Sequence, residues 1–253
     1  MWYILYERGI IMASWNPWHG CTKVSAGCKN CYVYRRDAEF GKDASAVHKT
    51  AAFDLPVQRD RRGEYKLKPD GEFVMTCFTS DFFHPAADEW RPEAWAFIRE
   101  RADLDFYFIT KRPHRFYYGL PADWGGGYEN VHICCTCEDQ YQAGRRLPVF
   151  MELPIRHKSI IHEPMLESIN IERWLEEYHD IIERVSCGGE SGDNARVCDY
   201  GWVIETMTQC VKYDVPFFFH QTGANFRRGG RVYRIDRKDQ QTQARKACID
   251  YRC

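Results

Sequence analysis

FVMTCFTSDFFHPAADEWRPEAWAFIRERADLDFYFIT, residues 73–110, reads as strand, loop, helix, strand. Phe73 to Phe78 and Asp105 to Thr110 are short and mostly apolar, the composition of strands covered on both faces. Between them, Pro92 to Ala102 has proline in its first turn and sets Trp95, Phe97 and Ile98 on one face, which predicts a helix whose aromatic side meets the core. The alternation continues outward. Apolar runs recur at Val131 to Thr136, Lys158 to Glu163, Arg184 to Gly189 and Val215 to His220, with helical patterns at Glu138 to Arg146, Asn170 to Tyr178 and Gly201 to Tyr213. Upstream, a strand near Ile10 to Trp15 and a helix over Cys31 to Phe40 add a seventh unit. Alternating strands and helices imply a parallel sheet. The expected fold is therefore α/β, a partial (β/α) barrel of six or seven parallel strands in a single domain over residues 1–253. The charge-rich stretch 41–72 reads as an inserted loop or hairpin, and residues 223–253 as a basic C-terminal segment.

At 253 residues and 29.9 kDa the chain can bury a sizeable core, and 44% hydrophobic against 28% charged residues places it among ordinary globular proteins. No run approaches 18 consecutive apolar residues, and Glu7 and Arg8 break the apolar start, so a cytoplasmic protein without membrane contact is expected. The formal net charge of −1 predicts no global attraction to nucleic acid. The distribution is uneven, however. From Gly223 to Cys253 there are nine Lys/Arg and three Asp/Glu, so Arg227, Arg228 and Arg231, with Tyr233 among them, are candidates for contact with nucleic acid. A solvated segment explains the same charges.

In parallel α/β folds, reactive groups gather where strands hand over to loops at their carboxyl ends. Here those positions hold Ser80, Asp81 and His84, then Lys111 and Arg112, then Cys137 and Glu138, then Glu163, then Gly188, Gly189 and Glu190, then Gln221 and Thr222. Paired glycines let a backbone approach a ligand closely, and Glu190 can accept from an ammonium or a ribose hydroxyl. Twelve cysteines without a secretory signal point to metal ligation or reactive thiols rather than a disulfide framework. Cys21, Cys28 and Cys31 are spaced C-x6-C-x2-C on a loop whose Gly20 and Gly27 permit a reversal. Two chemistries fit. Three thiolates leave one iron of a [4Fe-4S] cluster open to a small molecule. Alternatively, His19 completes a Cys3His site for structural Zn2+. The second group, Cys134, Cys135 and Cys137, sits on a predicted strand whose alternation divides it between faces. Core packing explains the first two, and Cys137 at the strand end is a candidate hydrogen-atom donor or ligand.

The segments WNPWHGCTKVSAGCKNCY, SDFFH, WRPEAW, FITKRPHRF, GGESG, QTGA and RKDQQTQARKA resemble an uncharacterised family of phage and bacterial proteins defined by a three-Cys motif, and that family is similar to the radical S-adenosylmethionine enzymes. Those enzymes use C-x3-C-x2-C with an aromatic residue before the third cysteine, whereas here the first spacing is six and Asn30 takes that place. The resemblance implies that Cys21, Cys28 and Cys31 hold a [4Fe-4S] cluster whose fourth iron is chelated by S-adenosylmethionine. It also implies that an electron donor such as flavodoxin or ferredoxin reduces the cluster, and that a 5′-deoxyadenosyl radical attacks a substrate, nucleic acid or nucleotide among the candidates. Lys111 or Arg112 would pair with the cofactor carboxylate, Ser80, Asp81 or Glu190 would receive its ammonium, and the backbone at Gly188 and Gly189 would pass close to it. Two other readings stand beside this one: a zinc-stabilised nucleic-acid-binding protein without catalysis, and a phage structural or host-interaction protein.

Overall fold

A computed structural model describes residues 13–69 and 73–252. In chain order the strands are β1 (Ser14–Trp15), β2 (Trp18–His19), β3 (His48–Lys49), β4 (Phe73–Thr76), β5 (Asp105–Thr110), β6 (Val131–Thr136), β7 (His157–His162), β8 (Ile182–Gly188), β9 (Val197–Asp199), β10 (Phe217–Gln221), β11 (Asn225–Arg228) and β12 (Arg231–Arg234). The helices are α1 (Tyr32–Glu39), α2 (Arg91–Glu100), α3 (Gln140–Met151), α4 (Glu172–Tyr178), α5 (Tyr200–Lys212) and α6 (Gln240–Arg245). Seven strands form one parallel sheet in the order β1-β4-β5-β6-β7-β8-β10, a partial (β/α) barrel as the alternation predicts. Of the strand expected near Ile10 to Trp15, β1 is present, and Ile10 to Met12 lie outside the described residues.

The chain packs as two compact units. The first contains the described parts of Met1–Thr22, Asp43–Ile133 and Pro154–His157. Its strands β1, β4 and β5 pair in parallel, Trp15 beside Thr76 and Thr76 beside Phe108. Helix α2 buries Arg91, Ala94, Trp95 and Ile98, a stripe at helical spacing, while Pro92 and Glu93 suit its first turn and Arg99 its last. The core it meets is aromatic: Trp95 lies 4.8 Å from Phe82, 5.9 Å from Phe108 and 4.9 Å from Trp124 between ring centroids. Such tilted and edge-on pairs bury large rings in favourable electrostatic contact. The inserted stretch folds back on itself, with Arg59 bridging to Tyr65. The fully buried Arg101 ties it down, donating to the carbonyls of Pro56 and Leu67 and to Asp103, with its guanidinium 4.0 Å from the Tyr65 ring. Polar anchoring by Arg101 therefore adds to the apolar contact of Phe53, buried 5.5 Å from the Phe97 ring, in holding this insertion.

The second unit contains Lys23–Lys42, Cys134–Leu153 and the described part of Lys158–Cys253. Strands β7, β8 and β10 pair in parallel, Ile160 beside Val185 and Val185 beside Phe217. Aspartates cap two of its helices: Asp139 accepts from the Gln142 amide at the start of α3, and Asp199 from the Gly201 amide at the start of α5. The basic segment 223–253 is not a loose tail. Strands β11 and β12 form a hairpin joined through β11 to β9, and Phe226 is buried against Phe219 at 5.9 Å. Helix α6 follows, and Tyr251 exchanges two backbone hydrogen bonds with Phe217 on β10, so the outermost strand of the large sheet is not left bare. Among the described residues no helix is long and apolar enough to cross a membrane.

Candidate functional site

In the first unit the start of the cysteine loop is tied to the carboxyl ends of β4 and β5. Gly20, at φ +90°, donates its amide to the Thr79 carbonyl and receives the Ser80 hydroxyl on its own carbonyl. Asp81, buried, accepts from the Phe83 amide and Thr110 hydroxyl on one oxygen, and from the Lys111 amide and Arg112 on the other, at 2.8–3.0 Å. Burial alone would push this carboxyl up, but the Arg112 charge and the three further donors outweigh it and hold it below its ordinary value. Arg112 is itself only 3% exposed. One of its nitrogens serves both Asp81 and the Cys21 sulfur, at 3.4 Å, and the other donates to the Thr22 carbonyl at 2.7 Å. His84 completes this end. Its Nδ1 accepts from the Ala86 amide, its Nε2 bonds the Thr22 hydroxyl at 2.9 Å, and burial, reinforced by Arg112, pushes its pKa down to about 4.

In the second unit the rest of the loop meets the ends of β6 and β8. Gly27 donates its amide to Glu138, a fully buried carboxylate paired with Arg146 at 2.6 Å. Asn30 donates to Glu190 at 2.9 Å, and Arg35 on α1 donates to the Ser191 carbonyl at 2.5 Å. Glu190 is also gripped by Arg196 through its amide and two guanidinium nitrogens, so that hydrogen bonding overcomes the upward push of burial and lowers its pKa. Cys31 is the N-cap residue of α1.

The glycines expected beside a ligand are packed against protein instead. A Cβ on Gly188 would stand 2.5 Å from the Glu163 carboxylate, and one on Gly189 would stand 2.2 Å from the Thr222 carbonyl oxygen. Gly223 returns the contact, since a Cβ there would lie 2.8 Å from the Glu190 nitrogen. GGES and QTGA are thus the two sides of one backbone crossing. Glu163, at the end of β7, accepts a hydrogen from Nδ1 of His220 at 2.7 Å and another from the Gln221 side-chain amide, while Nε2 of His220 lies 3.3 Å from the Gln241 amide nitrogen. Burial would lower the His220 pKa, but the Glu163 charge and hydrogen bond raise it above the ordinary value. A half-exposed imidazole with a carboxylate on one nitrogen is poised to carry a proton on the other. His220 hides in the sequence as the last residue of an apolar run, and only its place at a strand end marks it.

Among the described residues no cysteine is in a disulfide: Cys21, Cys28 and Cys31 are half-exposed and Cys248 is exposed, whereas Cys77, Cys134, Cys135, Cys137, Cys187, Cys198 and Cys210 are buried. Cys137, the candidate hydrogen-atom donor or ligand, lies just beyond the end of β6. It is fully buried beside Cys135, and burial holds its thiol well above the ordinary value. Of the groups expected to meet a cofactor, Asp81 and Glu190 have arginine partners and Ser80 has the Gly20 carbonyl, whereas Lys111, half-exposed, has no partner for its ammonium among the described residues. Arg227, Arg228 and Arg231 are exposed on the β11–β12 hairpin. In the first unit a cavity of about 140 Å³ lined by Pro92, Trp95, Tyr128 and neighbours touches none of these groups. No curated protein and no solved structure matches the chain. The family described as protein of unknown function, DUF5131, matches residues 10–248, and this chain belongs to it.

Proposed function

We propose that the protein is an iron–sulfur enzyme of the radical S-adenosylmethionine type, with Cys21, Cys28 and Cys31 as the ligands of a [4Fe-4S] cluster. The observation that carries this reading is the contrast in accessibility: the three motif thiols are half-exposed and outside any disulfide, and Arg112 aims an N–H at the Cys21 sulfur. A donor set of three reachable sulfurs with no fourth cysteine nearby in sequence suits a cluster that keeps one iron open. An N–H donated to a ligating sulfur is a recognised means of tuning such a centre. When bound, the cluster and S-adenosylmethionine supply reductive cleavage of the sulfonium to a 5′-deoxyadenosyl radical.

The chain's own residues contribute position and charge. Arg112 holds Cys21 through a guanidinium that Asp81 orients, and Glu138 holds the loop at Gly27. Lys111 offers an uncommitted ammonium at the end of β5 for the cofactor carboxylate. Asp81 and Glu190 keep their arginines, so the cofactor ammonium calls for an acceptor other than these two. His220, oriented by Glu163, is the group able to exchange a proton at the end of β10.

Anaerobic reconstitution of the full chain tests the reading. The expected product is brown, with iron and labile sulfide near four each per chain, and after one-electron reduction with dithionite its electron paramagnetic resonance signal changes on adding S-adenosylmethionine. Zinc at one per chain without sulfide would replace the proposal with a structural Cys3His site. A reconstituted cluster whose signal ignores S-adenosylmethionine would leave an electron-transfer centre in place of a radical enzyme.

A further inference from the structure

The β11–β12 hairpin breaks a rule of strand pairing. Gly229 and Gly230, with φ of +57° and +77°, make the two-residue turn, the backbone signature of a tight primed hairpin. That turn sets Arg228 directly opposite Arg231. Like charges in this position repel and destabilise the pair. Neighbouring acids do not relieve the repulsion. Asp199 pairs with Arg227 at 3.4 Å and Asp193 with Arg234 at 3.7 Å, so Arg228 and Arg231 have no acidic partner among the described residues. Each is backed instead by a tyrosine, Arg228 at 4.8 Å from the Tyr200 ring and Arg231 at 5.0 Å from the Tyr233 ring. Cation–π contact of this kind holds a guanidinium in place without neutralising it. Because opposed residues share a face of the ladder, Arg228, Arg231 and Tyr233 lie on the same side. Tyr233 is 42% exposed, and all of β12 is exposed at the outer edge of its three-stranded sheet.

We propose that this hairpin is a binding arm for single-stranded nucleic acid, with a phosphate bridging Arg228 and Arg231 and a base stacking on Tyr233. A bridging anion turns the repulsive pair into two favourable contacts. Guanidiniums suit phosphate oxygens geometrically as well as electrically. An exposed aromatic ring beside them favours bases that are already unstacked, hence a single strand over a duplex. The site is independent of the cysteine loop and stands or falls apart from the iron–sulfur reading.

The test is fluorescence anisotropy with a labelled oligothymidylate and with a duplex of matched length, using the full chain with and without reconstituted cluster. Wild type binds the single strand more tightly than the duplex, and its affinity falls with salt between 50 and 200 mM. The variant carrying Arg228→Ala and Arg231→Ala binds more weakly, with a log–log salt slope shallower by about 1.4, two contacts at roughly 0.7 each. Tyr233→Ala weakens binding about tenfold and leaves the slope unchanged, because stacking releases no counterions. Equal binding by wild type and the double arginine variant overturns the proposal, as does duplex binding equal to or tighter than that of the single strand. Circular dichroism of each variant confirms that the exposed substitutions leave the fold intact.

Discussion

Two stretches of this chain carry three cysteines each, and they have opposite characters. GCTKVSAGCKNC, residues 20–31, carries its thiols on an irregular loop where each is half-exposed and where buried charged groups, Arg112 at one end and Glu138 at the other, hold the backbone. CCTC, residues 134–137, carries its thiols on and just beyond β6, all fully buried, beside His162, whose Nδ1 bonds the Cys137 carbonyl at 2.6 Å. Density of cysteine is therefore not the signal of a reactive site. What separates the two is where the sulfurs sit: Cys134 and Cys135 lie on a strand covered on both faces, whereas the amides of Cys21, Cys28 and Cys31 bond carbonyls in turns and loops at the surface.

The largest expected effect is kinetic. Brief treatment of the native apo-protein with iodoacetamide, read by peptide mass spectrometry, labels Cys21, Cys28 and Cys31 at least about a thousandfold faster than Cys134, Cys135, Cys137 and Cys187, because the latter react only through opening of the fold. Comparable rates would erase the contrast. Next is metal content: Cys21→Ala, Cys28→Ala and Cys31→Ala together reduce reconstituted iron and sulfide at least tenfold, whereas Cys134→Ala leaves them unchanged. Iron retained by the triple variant would transfer the centre elsewhere.

A third measurement separates the charged supports from the buried thiols. Arg112→Ala strands Asp81 in the interior without its counter-charge and lowers unfolding free energy by about 3–5 kcal/mol. Cys187→Ser exchanges a fully buried thiol beside the Thr206 hydroxyl for a more strongly hydrated hydroxyl and costs less, about 1–3 kcal/mol. Urea midpoints rank the two, and a reversed order would deny Arg112 its anchoring role.

The histidines repeat the contrast with opposite signs of pH dependence. Burial pushes both His84 and His162 down to about 4. Their folded-state values lie below the ordinary 6.5, so their contribution is intact above about pH 6.5 and is lost as pH falls through that window, by at most roughly 3 kcal/mol each. His220 is raised by Glu163 after burial has opposed it. Its contribution is complete below about pH 6.5 and fades as pH rises through the folded-state value. Glu163→Gln removes that high-pH decline while leaving the acid limb in place, which is the smallest of these effects. An unchanged nitrogen-15 titration of His220 in that variant would show that Glu163 does not set its charge.

Much of the fold was legible because its signals are local. The boundaries of β5 and β6 coincide with their apolar runs, and α2, α3 and α5 begin within two residues of the expected positions, where proline or aspartate dictates the start. The site was legible in its members more than in its bonds. Ser80, Asp81, Arg112, Glu138 and Glu190 all stand at strand ends as expected, yet nothing local reveals that Asp81 belongs to Arg112 or Glu190 to Arg196 and Asn30. Such pairings join residues distant along the chain, and a polar residue looks the same in sequence whether it awaits a ligand or already has a partner. The hairpin at 225–234 was missed for a different reason: its arginines read as candidates for nucleic acid or as a solvated segment, and the Gly-Gly turn that organises them is visible only when the flanking positions are read in opposition.

The crossing of Gly189 and Gly223 bears on how this sequence can diverge. Two positions far apart in the alphabet of the chain share one vacancy in space, and each already has the smallest residue available. A methyl gained at either cannot be relieved by shrinking the other, so no compensating substitution exists at the partner position. Only movement of a whole segment could make room, and that would also displace Glu190 and the base of the hairpin, which the Glu190 carbonyl anchors through the Ala224 amide. Drift at this point is therefore closed in both directions, and GGE and TG are expected to persist or vanish together in any chain that keeps this arrangement.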